Sequence, residues 1–136
     1  MNKTKKILKG NIIIENVVNV WPHELSTAKA LANAGFNVRF IPANKNSSSA
    51  DAYIDGVIFE FKAPEGSSVK SIQRNIVKAI HRQSANIVID SARIKKLKDE
   101  NIEKYLYSRL IEKKGIKKII FVRKDRKVVD INSLLK

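Results

Sequence analysis

Residues 51–64, DAYIDGVIFEFKAP, constrain the fold more than any other segment of the 136-residue chain. Asp55-Gly56 lies between two runs rich in β-branched and aromatic residues. A two-residue type I′ turn needs positive φ at both central positions, which Asp-Gly supplies, so the segment reads as a β-hairpin. The turn sets the register, pairing Ile54 with Val57, Tyr53 with Ile58, Ala52 with Phe59 and Asp51 with Glu60. Cross-strand partners point to one face, as do residues two apart along a strand. Asp51, Glu60 and Lys62 therefore share a face, with Tyr53 and Ile58 nearer the turn. Ala52, Ile54, Phe59 and Phe61 point the other way and supply the core contact. Opposed carboxylates repel unless something positive lies between them, and a divalent cation and Lys62 are the two candidates.

Around the hairpin the chain alternates strands and helices. Residues 11–20, NIIIENVVNV, read as strand. Pro22 suits a first helical turn, and the helix that follows carries Leu25, Ala28, Leu31 and Ala32 on one stripe before Gly35 stops it. FNVRFI, 36–41, alternates as a strand, and PANKNSSSA, 42–50, is turn chemistry. Ser67 or Ser68 can cap a helix in which Ile72, Ile76, Ala79, Ile80 and Gln83 lie on one side. ANIVID, 85–90, reads as a buried strand, and 99–114 as an amphipathic helix through Ile102, Tyr105, Leu106 and Leu110 that ends near Gly115. Residues 116–124 and 125–131 close with two strands. The order β-α-β-β-β-α-β-α-β-β predicts one α/β domain over residues 1–136, with a mixed central sheet flanked by helices and a basic tail at 1–10.

Charge narrows the function classes. The chain carries 27 Lys and Arg against 13 Asp and Glu, a formal net charge of +14, which favours a polyanionic partner, nucleic acid first. Without cysteine there is no disulfide framework, thiol nucleophile or cysteine-based zinc site. Two histidines, His23 and His81, make no His-rich centre, so a metal would be held mainly by carboxylates. The basic residues crowd into the first ten positions and into 93–136. The acids Glu24, Asp51, Asp55 and Glu60 stand in the nearly neutral middle. Gly10, Asn11, Glu15, Asn16 and Asn19 interrupt the apolar start, so no signal peptide is expected, and no apolar run is long enough to span a bilayer.

Two oxygens from Asp51 and Glu60 can hold Mg²⁺ or Mn²⁺ and leave positions for water and a phosphate oxygen, with Lys62 placed to orient water or stabilise charge at phosphorus. Acid and lysine at alternating strand positions are equally the pattern of a solvated sheet face, and D…ExK alone matches many unrelated chains. Asp55 is the other candidate for the motif aspartate, but the hairpin puts it in the turn, which favours Asp51.

The larger pattern is more specific. Asp51…Glu60-Phe61-Lys62, preceded by an α-β unit and followed by a helix, resembles the PD-(D/E)xK nuclease core. HELSTAKALANAGFNVRF, then ADAYIDGVIFEFKAPEG, then the helix running into RQSANIVID, resemble CdiA-type C-terminal tRNA nuclease domains, the toxin ends of contact-dependent growth inhibition systems. The likeness covers about residues 22 to 125. Ala50 stands where the pattern has proline, a residue that mostly shapes the backbone. The resemblance implies a metal-dependent endonuclease acting on tRNA with Asp51, Glu60 and Glu24 as metal ligands and Lys62 beside the attacking water. Glu24 is otherwise an ordinary acid at a helix N-terminus. Gln83 falls where the resemblance puts a polar residue beside the lysine, and a buried structural hydrogen bond explains it as well. Arg74, Lys78 and Arg82 recur every four residues as a basic stripe that would hold phosphates beside such a site. Trp21 and tyrosines 53, 105 and 107 can stack on unpaired bases, although packing explains each of them too.

The resemblance further implies a cognate immunity protein as partner and action in the cytoplasm of a bacterial cell into which the toxin is delivered. A DNA endonuclease with the same residues, and a basic nucleic-acid-binding module without catalysis, are the competing readings.

Overall fold

The structure, a computed structural model, describes residues 10–14, 20–41, 51–82, 85–112 and 115–135. Asp55 and Gly56 have φ of 48° and 86°, the left-handed pair a type I′ turn needs. From it run β3 (Asp51–Ile54) and β4 (Val57–Lys62) in the expected register, from Ile54 against Val57 to Asp51 against Glu60. The turn is tied to the start of the preceding strand: the Asn37 N–H donates to Asp55 Oδ1 at 2.9 Å, and the Asp55 N–H donates to the Asn37 carbonyl at 2.9 Å.

Seven strands lie side by side in chain order. β1 (Ile12–Ile13) and β2 (Val38–Phe40) precede the hairpin, and β5 (Asn86–Asp90), β6 (Lys118–Val122) and β7 (Val128–Asp130) follow it. Pairs β1/β2, β4/β5 and β5/β6 are parallel and the others antiparallel, a mixed sheet as expected. Each parallel pair needs a long crossover, and each has a helix: α1 (Pro22–Asn33), α2 (Val69–His81) and α3 (Asp99–Glu112).

Two cores cover the two faces. On one, Ala28 and Leu31 of α1 pack on Val38, Phe40, Ala52, Ile54, Phe59 and Phe61, with Phe40 and Phe61 edge to face at 5.6 Å between centroids. On the other, Ile72, Ile76 and Ala79 of α2 and Ile102, Leu106 and Leu110 of α3 pack on Ile87, Ile89, Ile119 and Phe121. The alternation along β4 thus sends its two phenylalanines to α1 and leaves Glu60 and Lys62 on the α2 side.

Several boundaries differ from expectation. Of residues 11–20 only Ile12–Ile13 form strand among those described, and 15–19 lie outside the described residues, as do the predicted loop 42–50 and positions 1–9 of the basic tail. Residues 123–127 form a turn rather than strand, with Arg126 at φ 70° and its N–H on the Arg123 carbonyl at 2.9 Å. Ser68 occupies the N-cap of α2, but its side chain makes no cap hydrogen bond. In α1 the buried stripe takes in Glu24 and Thr27 while Leu25 is only half-buried, because polar groups at the strand ends face that side.

Candidate active site

On the α2 side the helices cover β5 and β6, and no described residue of β1–β4 belongs to that core. Glu60 and Lys62 stand at its margin, in register with Ile87 and Ile89 of β5. Both are buried, 1% and 7% exposed. The Lys62 Nζ lies 2.9 Å from Glu60 Oε2, and Arg82, which ends α2, brings Nη1 to 2.8 Å from the same oxygen. Asp51 is the direct register partner of Glu60. Its Oδ1 is shielded from solvent and has no hydrogen-bond partner among the described residues. Burial raises the Asp51 pKa from its ordinary value and the Glu60 charge adds to it, while Arg82 and Lys62 pull it back only in part.

That donor set fits a divalent cation. Two hard oxygen donors face each other, one carries a buried oxygen without a partner among the described residues, and burial and the Glu60 charge disfavour ionisation of Asp51, a cost that a bound cation would remove.

Glu24 stands elsewhere. It is buried on α1, and its Oε1 accepts the Trp21 N–H at 2.9 Å, the reciprocal half of a capping box. It lines a cavity of about 160 Å³ with His23, Lys62, Asn75, Lys78 and Arg93. No group of three or more metal-binding side chains forms among the described residues, so the expected set of Glu24, Asp51 and Glu60 is not gathered into one centre. The reason is topological: α1 packs on the Phe59–Phe61 face of the sheet and the carboxylate pair points to the other. Lys62 is the link, paired with Glu60 and lining the cavity beside Glu24.

The basic stripe divides. Arg74 is exposed beside Val77, and Lys78 stands exposed on the rim of the Lys62 cavity. Arg82 instead turns inward to Glu60. Gln83 lies outside the described residues.

Sequence reading missed two residues that line the cavity, Asn75 and Arg93, and a third, Asp90, that bonds Thr27 on its wall. Asn75 lines it while its Nδ2 donates to the Ser71 carbonyl at 2.8 Å, and Arg93 lines it while pairing with Glu65 at 2.9 Å. Asp90, buried at the end of β5, accepts from both Arg126 Nη1 and Nη2 at 2.9 Å and from the Thr27 hydroxyl, and Arg126 Nη2 also donates to Ser26 Oγ at 2.9 Å. This clamp holds α1, and with it Glu24, against the strand ends. The signal available for it was a charged residue closing the apolar run NIVI.

Residues 48–128 match the contact-dependent growth inhibition CdiA C-terminal domain, a span that contains Asp51, Glu60, Lys62 and Arg82. The fold is similar to that of the CdiA-CT/CdiI toxin and immunity complex from Burkholderia pseudomallei, with a TM-score of 0.67 and 23% identity over 88% of this chain and 97% of that one. At that identity the likeness is one of fold. No curated protein matches in sequence. With most of its length inside the family match, hairpin and site margin included, the chain belongs to the CdiA C-terminal domain family of contact-dependent growth inhibition.

Proposed function

We propose that this domain is a toxic effector that hydrolyses phosphodiester bonds in RNA, tRNA above all, as a PD-(D/E)xK-type endonuclease using Mg²⁺ or Mn²⁺ held by Asp51 and Glu60. The observation that carries the reading is the direct pairing of Asp51 with Glu60, with a buried oxygen on the first that has no partner among the described residues and the Lys62 ammonium 2.9 Å from the second. A cation on these oxygens supplies Lewis-acid polarisation of a phosphate oxygen. Lys62 neutralises charge at phosphorus from the seam between the carboxylates and the cavity. Lys78 and Arg93 at that cavity hold neighbouring phosphates, and Glu24 on its wall positions water. Arg74 extends the phosphate footprint along α2.

Family membership supports delivery into a target cell, with action on RNA in its cytoplasm. Among the described residues no helix is long and apolar enough to cross a membrane. The fold likeness to a chain of a toxin and immunity complex supports a cognate immunity protein as partner, and the charge of +14 favours an acidic surface on it.

The test incubates the purified chain with total tRNA, unrelated RNA and duplex DNA, each with Mg²⁺ or EDTA, beside Asp51→Asn and Glu60→Gln. EDTA-sensitive cutting of tRNA that both variants lose is the expected result. Cutting of DNA alone keeps the site and changes the substrate. Parental activity in both variants removes the proposed centre.

A further inference from the structure

The part of the α2-side face that the helices leave uncovered begins one step from Asp51. Register puts Ile13, Arg39, Tyr53 and Ile58 in a single row across β1, β2, β3 and β4. The next row on the same face is Asp51 and Glu60, two residues along each strand, or about 7 Å away. Ile13 and Ile58 are 51% and 52% exposed. Between them the Arg39 guanidinium carbon stands 4.8 Å from the Tyr53 ring centroid, over its face. Asn37 and Asp55 join Ile13, Arg39 and Tyr53 around a groove of about 390 Å³.

This row presents a guanidinium plane stacked on a tyrosine ring, with apolar flanks, next to a pair of carboxylates. Unpaired nucleobases match that chemistry: their rings stack on tyrosine and on guanidinium planes, and their phosphates answer the charge of +14. Bases inside a duplex are already stacked and cannot reach it.

We propose that the Arg39–Tyr53 row is a base subsite, which takes one unpaired nucleobase of the RNA beside the phosphodiester at Asp51 and Glu60. The inference rests on the nuclease reading for its place relative to the cut, and it directs cleavage to single-stranded loops rather than helical stems.

The experiment reads binding in EDTA, where no cutting occurs. A single-stranded RNA oligomer with 2-aminopurine at successive positions is titrated with the parent, Tyr53→Ala, Tyr53→Phe and Arg39→Ala, following anisotropy and base fluorescence across a salt series. The parent is expected to quench the fluorescent base, and Tyr53→Ala to bind about 5- to 150-fold more weakly without quenching. Its salt slope stays at the parent's value because no charge is lost, whereas Arg39→Ala has a shallower slope. Tyr53→Phe keeps affinity and quenching. An abasic site in the RNA weakens the parent to the level of Tyr53→Ala, a comparison free of any folding effect of the variant. Parental affinity and quenching in a folded Tyr53→Ala overturns the proposal, as does absence of binding by the parent. A change in self-association in place of RNA affinity overturns it too and assigns the row to a contact between copies. Quenching by a parent that fails to cut with Mg²⁺ retires the nuclease reading alone. Parental cutting and affinity in Tyr53→Ala retires the subsite alone.

Discussion

Arg82 Nη1 lies 2.8 Å from Glu60 Oε2, joining the residue that ends α2 to the interior of β4. Periodicity puts Arg82 on an outward stripe with Arg74 and Lys78. At the C-cap, however, the backbone leaves helical phase, with φ −88° and ψ 9°, and the side chain turns to the buried acid. Glu60 Oε2 thus has Lys62 and Arg82 where a metal would place its own charge. Removing Arg82 relieves that competition, so Arg82→Ala is expected to bind Mn²⁺ several-fold more tightly than the parent, on the order of 1 kcal/mol for a part-exposed ion pair. Calorimetric titration measures it. An equal or weaker affinity assigns Arg82 a supporting role in metal binding.

The Glu60–Lys62 pair is the more deeply buried of the two. Glu60→Ala leaves the Lys62 ammonium, 7% exposed, without that carboxylate, and is expected to cost about 3–5 kcal/mol in urea unfolding. Lys62→Met leaves Glu60 its Arg82 contact and replaces a buried charge by an apolar chain of similar length. It is expected to abolish cutting at a much smaller cost in stability. Equal costs for the two variants would show that the pair is not buried in solution.

Asp51 links the site to pH. Burial and the Glu60 charge raise its pKa, so the native state holds that proton more tightly than the unfolded chain. The contribution to stability is full below the ordinary aspartate value, about 3.9, and is lost as pH rises through the raised native value. In EDTA, Asp51→Asn is therefore expected to melt above the parent near neutral pH, with the advantage fading as pH falls toward the ordinary value. Mn²⁺ is expected to reverse the order, because the proposed metal site needs ionised Asp51: at 100 times Kd it would stabilise the parent by about 2.7 kcal/mol and the variant hardly at all. Thermal melts over pH, with and without Mn²⁺, test both signs together.

The clamp at the end of β5 is expected to act on stability first. Arg126 meets the buried Asp90 through both terminal nitrogens at 2.9 Å. Arg126→Ala leaves that carboxylate, among the described residues, with the Thr27 hydroxyl and the Ala92 N–H, at a cost of about 3 kcal/mol. Lysine lacks the two-nitrogen fork, so Arg126→Lys recovers only part of the loss. Denaturant midpoints measure it, and a loss under 1 kcal/mol would show that α1 is held by its apolar face alone.

What the sequence alone determined is the part governed by local chemistry. Asp55-Gly56 dictated the turn, the turn dictated the register, and the register placed Asp51 opposite Glu60 with Lys62 on the same face. Element order followed from apolar periods of two and of about four. The tertiary structure alone decided which side chains from distant elements meet. Glu24 went to the α1 face and into a helix cap, Arg82 left its stripe for Glu60, and Arg93 and Asn75 joined Lys62 at a cavity. It also decided how far α2 and α3 extend over the sheet, and so why a carboxylate pair and the Arg39–Tyr53 row sit at the edge of helical cover. The physical reason is range. Turn and strand geometry act over a few residues, whereas the packing of a helix on a sheet is settled by the shapes of two whole apolar faces.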